Sequence, residues 1–146
     1  MIERRRDTAP ARCEPPIGPP PILIMEGVPE SARAAREFAR EFIRYQVPDA
    51  SEDYVETVVL VACEMVTNAI RYGTTPGDSI RLTLDADHVR TRVEVQDPVR
   101  RHPQPCPESN NRDHGRGLII LDALCLDWGV TDTPPGKTVW AEVKAS

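Results

Sequence analysis

This chain of 146 residues has no excess of basic residues, few aromatic residues and no long apolar run. The formal net charge is −5, whereas a protein that binds duplex nucleic acid usually carries a basic face that neutralises phosphates. Aromatic residues make up only 5% of the chain, too few to build a stacking platform for single strands. The sequence therefore predicts no direct contact with nucleic acid.

The apolar segments argue against a membrane-spanning protein, and the cysteines argue against a metal or redox site. No apolar run approaches the roughly 20 residues that a membrane-spanning helix needs, and the first residues lack the apolar segment of a signal peptide. The cysteines, Cys13, Cys63, Cys106 and Cys125, lie far apart and form no C-x-x-C pair, which argues against a zinc site or a redox motif. We therefore expect a cytoplasmic protein with no membrane contact and with free thiols.

The length and an apolar content of 40% suffice for one compact domain with a single core. Residues 1–21 contain six of the fifteen prolines and a cluster of arginines, a composition that does not support a packed element. We therefore predict a disordered proline-rich tail over residues 1–21 and one folded domain over residues 22–146.

Apolar residues recur with helical spacing in two long segments before the middle of the chain. The first predicted helix ends near Gln46. Asp49 and Glu52 resemble a capping box that opens the second helix, which runs to about Tyr72, where Gly73 supplies the stop.

Strand-like alternation appears both before and after these helices. The predicted strands are Ile22–Met25, a hairpin over residues 80–84 and 89–95, and a final pair over residues 128–131 and 137–143. Residues 98–114 contain four prolines and no periodic pattern, which predicts a lid-like loop, and another helix opens at Gly115. This order predicts an α+β fold: a two-layer sandwich of a mixed β-sheet with helices on one face.

Glu64 and Asn68 lie four residues apart within the second helix, so both side chains project from one face, one turn apart. A carboxylate that can take a proton and an amide oxygen that can bind a hard cation are two parts of metal-assisted phosphoryl transfer. Taken alone, such residues are more often simply solvated. Asp97 after a strand is likewise more often a turn former, and Gly115-x-Gly117 alone is a weak phosphate signal.

Taken in order, these features resemble the nucleotide-binding fold of the gyrase and histidine-kinase ATPase superfamily, the Bergerat-type ATP-binding fold. The segments EMVTNAIRYG, GRGLIILDAL and GKTVWAEV are most similar to the anti-sigma factor serine-kinase family of the RsbW and SpoIIAB type. The resemblance covers residues 22–143.

The resemblance implies a role for each polar residue of the set. Asn68 would bind Mg²⁺ through its side-chain oxygen, and the metal would bridge the phosphates of ATP. Glu64 would act as general base on the attacking hydroxyl of a serine or of water. Asp97 would accept a hydrogen bond from the adenine amino group.

The same resemblance implies further contacts from the last third of the chain. Thr138 would reach the adenine side, directly or through a water. Backbone N–H groups at a helix start would contact the phosphates, those of Gly115, Arg116, Gly117 and Leu118. In one respect the chain departs from the family pattern, since Asp97-Pro98-Val99 replaces Asp-x-Gly and puts a β-branched side chain where little room is expected.

Three functional hypotheses follow. The resemblance implies an anti-sigma factor with ATP-dependent serine kinase activity toward an anti-anti-sigma protein of the STAS type, with homodimerisation as a further expectation. The altered adenine motif and the proline-rich loop favour an alternative, a catalytically weak or inactive module of the same fold that docks a partner. An ATP hydrolase or a fragment of a histidine kinase forms a third class.

Overall fold

The computed structural model describes residues 18–75, 77–98, 120–133 and 136–145. Within these residues, a five-stranded sheet packs against two long helices. The elements in chain order are β1 (Ile22–Glu26), α1 (Ser31–Gln46), α2 (Glu52–Tyr72), β2 (Ser79–Ala86), β3 (Arg90–Asp97), β4 (Asp127–Thr133) and β5 (Gly136–Lys144). Residues 120–124 form a further helical segment ahead of β4.

The strands lie in the order β1-β2-β3-β5-β4. Each neighbouring pair in the described part of the sheet is antiparallel. The predicted two-layer α+β fold is confirmed, but the described pairs do not include the parallel pairing that a mixed sheet implies. The physical reason is that β3 and β4, which run parallel to each other, are separated by β5 and so cannot form hydrogen bonds with each other.

Alternate strand residues build the core against the helices, as the period of two in a strand requires. Leu82, Val93 and Ala141 are fully buried on this inner face. The outer face is charged around β3 and β5: the Arg92 guanidinium lies 4.6 Å from the centroid of the Trp140 ring and pairs with two glutamates. The sheet therefore has an apolar face toward the helices and a face away from them that is charged at its centre.

The second helix has well-defined ends. Ser51 caps its start, because its Oγ accepts a hydrogen bond from the Tyr54 N–H at 3.1 Å. The capping box predicted at Asp49 is therefore wrong, since the chain still turns at that residue and the first unpaired helical amides come later. Gly73 ends the helix as predicted, and its N–H donates to the Ala69 carbonyl at 2.8 Å.

The two helices divide the inner face of the sheet between them. α1 contacts β1 and β2, whereas α2 contacts β2, β3 and β5. The ion pairs Arg40–Glu56 and Arg44–Glu52 join the two helices, so the flank of α2 that carries these glutamates faces α1. Because α2 rather than α1 contacts β5, the opposite flank of α2 lies toward the β5 side of the sheet.

Residues 18–21, at the end of the predicted tail, lie along the domain. The Pro21 carbonyl accepts a hydrogen bond from the Leu84 N–H at 2.9 Å, and Gly18 packs against the Tyr45 ring. The earlier part of the predicted tail and residues 99–114 of the predicted loop lie outside the described residues. In the described part of the chain, neither helix is both long and apolar enough to cross a bilayer.

Candidate nucleotide site

Asp97 provides a carboxylate in the core, and its residue is only 2% exposed. It is the last residue of β3 and follows the alternation of Val93 and Val95, so its side chain points to the helix side of the sheet. Lys137 of β5 stands opposite Asp97 in the strand register. The Lys137 Nζ lies 2.9 Å from Asp97 Oδ2, which places a buried ammonium beside a buried carboxylate.

Two glycines make room for this carboxylate. A Cβ added to Gly73 would lie 2.5 Å from Asp97 Oδ2, and one added to Gly136 would overlap the Asp97 main-chain carbonyl. The end of α2, the end of β3 and the start of β5 therefore meet at one point. We call the group formed by Gly73, Asp97, Gly136 and Lys137 the Asp97 corner.

The ammonium of Lys137 is paired by charge but not by a directed hydrogen bond. Its distance to Asp97 Oδ2 is that of an ion pair, yet Nζ is buried without a hydrogen-bond partner in the described structure. The two groups therefore form an ion pair whose angle of approach does not make a hydrogen bond. A lysine carries three N–H donors, so the corner keeps unused donor capacity beside an acceptor.

Glu64 and Asn68 lie on the flank of α2 that faces away from α1. Cys63 marks the α1 side, because its Sγ accepts a hydrogen bond from Arg36 Nη1 at 3.5 Å, and Glu64 lies about 100° further round the helix. Glu64 and Asn68 are both half-buried. They therefore project over the half of the sheet that contains β5, the strand that supplies Lys137.

The same helix brings the amide close to the Asp97 corner. Gly73 follows Asn68 by five residues, a rise of roughly 7 Å along the helix axis. Since Gly73 abuts the Asp97 carboxylate, α2 places its amide and its glycine stop at the same end of the domain as the acidic end of β3. The structure thus places Asn68 at the end of α2 that reaches Asp97, with Glu64 one turn further back along the same helix.

The donor set suits magnesium that arrives with a nucleotide. The described residues include no cluster of three His, Cys, Asp or Glu side chains that could hold a metal ion. A single amide oxygen, such as that of Asn68, instead suits a cation that keeps several waters and takes its other ligands from phosphates. The Asp97 carboxylate can accept hydrogen bonds from a base, so the described residues fit Mg²⁺ with ATP.

Thr138, by contrast, lies on the opposite face of the sheet from Asp97. It stands opposite Gln96 in the register, and its Oγ1 donates to Thr133 Oγ1 at 3.0 Å. The structure therefore does not bring the Thr138 side chain into the Asp97 corner. The predicted phosphate contacts lie outside the described residues: Gly115, Arg116, Gly117 and Leu118.

Lys137 is the residue of the Asp97 corner that sequence reasoning missed. The signal was present, because Ala141 and Val143 are buried on the inner face and a period of two extends that face back through Val139 to Lys137. Within the motif Gly136-Lys137-Thr138, sequence reasoning selected the threonine, although the lysine is the residue whose side chain lies on the inner face of the sheet.

The profile of the histidine kinase-like ATPase domain family matches residues 25–143. The chain belongs to this family. It is therefore an ATP-binding domain of the histidine kinase-like ATPase type, which agrees with the superfamily and the fold predicted from the sequence.

Comparison with curated proteins gave no match. Among solved structures, this histidine kinase-like ATPase domain is similar to the histidine kinase domain from Erythrobacter litoralis EL346 blue-light activated histidine kinase, with 21% identity and a TM-score of 0.45. The match covers 64% of this chain and 45% of that chain. The chain thus spans less than half the length of that protein, and the family assignment rests on the profile.

Proposed function

We propose that this protein is an ATP-binding regulatory protein of the cytoplasm, an anti-sigma factor with serine kinase activity toward an anti-anti-sigma antagonist of the STAS type. The observation that supports the kinase part is that Glu64 and Asn68 lie one turn apart on α2, the helix whose C-terminal glycine, Gly73, contacts the Asp97 carboxylate. In this proposal a general base, a magnesium ligand and a carboxylate that recognises adenine follow one another from the middle of α2 to the end of β3. The motif resemblance supports the regulatory part.

Each polar residue has one task in this proposal. Asn68 would hold Mg²⁺, which neutralises phosphate charge when bound. Glu64 accepts the proton of the antagonist serine as its oxygen attacks the terminal phosphorus. The bond from that phosphorus to the bridging oxygen breaks, and ADP leaves with the electron pair. Asp97 orients the base by accepting a hydrogen bond from it.

Exposure and charge both fit a protein substrate. Glu64 is half-buried rather than enclosed, so a serine on the surface of another protein can approach it. Phosphorylation adds about −1.5 to −2 charges to that surface, while this chain carries a formal net charge of −5. Repulsion between the acidic product and the acidic chain favours release, which is what a switch between partners requires.

The decisive experiment follows transfer of the labelled terminal phosphate of ATP to a purified antagonist. Glu64→Ala should slow transfer by about 10²- to 10⁴-fold, as expected for loss of a general base. Glu56→Ala is the matched control, because Glu56 lies on the same helix but on the flank that pairs with α1. If the wild-type protein binds the antagonist yet transfers no phosphate, the kinase proposal fails.

A second candidate function is a partner-docking module with weak or absent catalysis. The ion pair at Lys137 favours it, because the carboxylate assigned to adenine already contacts a cation. Under this alternative, antagonist binding persists without transfer, and Glu64→Ala changes neither. The same assay therefore separates the two functions.

We place the sigma-factor surface, and any homodimer contact, on β1 and the adjoining face of α1. β1 is an edge strand of the described sheet, and its outward residues Ile22 and Ile24 are 42% and 63% exposed. An open edge with apolar side chains is suited to pairing with another chain. Ile22→Glu should weaken sigma-factor binding and leave ATP binding unchanged; unaltered sigma-factor binding would exclude this surface.

A further inference from the structure

The outer edge of β1 carries backbone groups that pair with no other described strand. Among the described strands β1 pairs with β2 alone. The Leu84 N–H donates to the Pro21 carbonyl at 2.9 Å, so the main chain of Pro21 faces β2. Because this direction alternates along an antiparallel strand, Ile22 and Ile24 direct both their N–H and their carbonyl groups to the open edge.

The side chains along this edge are apolar on both faces of the sheet. Ile22 and Ile24 are exposed on the outer face, and Leu23 between them is half-buried on the face that packs against the helices. Unused backbone groups together with apolar side chains make an edge that another strand can extend.

Resting on the homodimer contact that the proposed function places on β1, we propose that the partner at this edge is the β1 strand of a second copy of the chain. The two strands run antiparallel about a two-fold axis at Leu23, and Ile22 of each copy lies opposite Ile24 of the other. The contact is isologous, as a two-fold dimer requires, and it joins two five-stranded sheets into one continuous sheet.

Two features of the backbone select this register. The Glu26 carbonyl, the next acceptor along the open edge, already accepts from the Val28 N–H at 2.8 Å and from the Ser31 hydroxyl at 2.6 Å, which uses both of its lone pairs. At the other end of the edge, Pro20 has no N–H to donate. In the proposed register Pro20 lies opposite Glu26 of the partner copy, so the missing donor faces the acceptor that needs none.

A shift of two residues in either direction leaves a backbone group unpaired. With Ile24 opposite its own copy, the Ile22 N–H meets the occupied Glu26 carbonyl. With Ile22 opposite its own copy, the Ile24 carbonyl meets Pro20. An unpaired group that a contact removes from water costs free energy. A proline on an edge strand usually discourages pairing, whereas Pro20 discourages only the shifted registers.

Apolar side chains meet on both faces of the joined sheet in this register. On the outer face, Ile22 and Ile24 form two cross-strand pairs. On the inner face, the two Leu23 side chains meet at the axis as a non-hydrogen-bonded pair, the closer of the two kinds of antiparallel pair. The dimer therefore covers the apolar edge of each copy, and the sigma-factor surface is then the face of α1 beside the joined strands.

The test is sedimentation equilibrium of the whole protein over a wide range of concentrations. The wild-type mass should rise toward twice 16.3 kDa. Ile22→Lys or Ile24→Glu alone should weaken dimerisation by about 100-fold, because each dimer then removes two charges from water opposite apolar side chains. The double variant should recover most of the affinity, since each new ammonium lies opposite a new carboxylate of the partner copy. In either shifted register the double variant instead places like charges opposite each other.

Val89→Lys is the matched control, because Val89 is an exposed apolar residue in the turn between β2 and β3, and this variant should dimerise as the wild type does. A wild-type mass that stays at 16.3 kDa overturns the inference without requiring any variant to fold. A dimer that either single variant leaves intact, or that the double variant does not restore, also overturns it. Phosphate transfer by a monomeric wild-type protein would leave the proposed kinase function standing, so the two failures are distinguishable.

Discussion

The central strand β3 carries a buried polar side chain at each end, and the two ends are built differently. Thr91 is fully buried, and its Oγ1 lies 2.6 Å from the Tyr54 hydroxyl. That hydroxyl donates to the Val143 carbonyl at 3.2 Å, so Thr91 is the donor in the bond that joins them. At the other end, Asp97 faces the Lys137 ammonium, which has no directed hydrogen bond within the described residues.

This difference distinguishes the end of β3 that only stabilises the fold from the end that we propose for a ligand. Buried polar groups in native proteins are usually satisfied, and the Thr91 end follows that rule with neutral groups alone. The Asp97 end instead combines charge, the unused donors of Lys137 and two glycines that let the backbone approach Asp97 closely. Within the described residues the unused donors belong to Lys137, and the Asp97 end is the one that we propose for nucleotide binding.

The largest expected effect comes from breaking the charged end. Asp97→Ala leaves the Lys137 ammonium buried without its counter-charge and should lower the free energy of unfolding by about 3–5 kcal/mol, as measured by urea denaturation. The double variant Asp97→Leu with Lys137→Met should recover most of this stability but not ATP binding. A loss below about 1 kcal/mol in the single variant would show that the ion pair is unimportant.

A methyl group at Gly73 should destabilise the charged end of β3 less than Asp97→Ala does. Its Cβ would lie 2.5 Å from Asp97 Oδ2, so Gly73→Ala must displace the carboxylate, with a stability loss of about 1–3 kcal/mol and a clear loss of ATP affinity in calorimetry. Gly77→Ala is the matched control, since Gly77 has open space around it but a φ of +93°. The control should lose stability and keep its affinity; equal affinities in the two variants would refute this prediction.

The neutral end should affect stability alone. Tyr54→Phe removes the hydroxyl that contacts both Thr91 and Val143, which should cost about 1–2 kcal/mol of unfolding free energy with no change in ATP affinity. Tyr45→Phe, at a residue that is 44% exposed, should be nearly neutral. A change in nucleotide affinity on removal of the Tyr54 hydroxyl would contradict the division between the two ends.

Alkaline pH should produce the smallest effect. Burial raises the pKa of Tyr54, and the hydrogen bond with Thr91 opposes that rise only in part. The unfolded chain therefore loses the hydroxyl proton of Tyr54 at a lower pH than the folded chain does, from about pH 10. The contribution of Tyr54 to the free energy of unfolding is fully present below that pH and falls as the pH rises further. The stability difference between wild type and Tyr54→Phe should therefore narrow above about pH 10 in urea titrations; a constant difference would refute this.

Local patterns were enough to predict the helices and the residues that share their faces. The stop at Gly73 and the placement of Glu64 and Asn68 one turn apart depend on spacing within one helix, which the sequence displays directly. The cap was wrong because Asp49 and Ser51 are both good capping residues two positions apart, and only the chain path decides between them.

Contacts between segments that are distant in the sequence were harder to predict than the helices. The insertion of β5 between β3 and β4, and with it the pairing of Lys137 with Asp97, depends on strand order, which no local pattern encodes. Thr138 illustrates the same point, because a shift of one residue along a strand exchanges the two faces of the sheet. Its motif position was visible in the sequence, but its register was not.

The most direct measurement of the central claim is a two-dimensional amide NMR titration of the protein with Mg·ATP. A nucleotide at the charged end of β3 should shift the amide signals of Asn68, Gly73 and Lys137 and leave those of Thr91 and Val143 in place. Shifts confined to Thr91 and Val143, with the signals of the Asp97 corner unmoved, would contradict the assignment of this corner to the nucleotide.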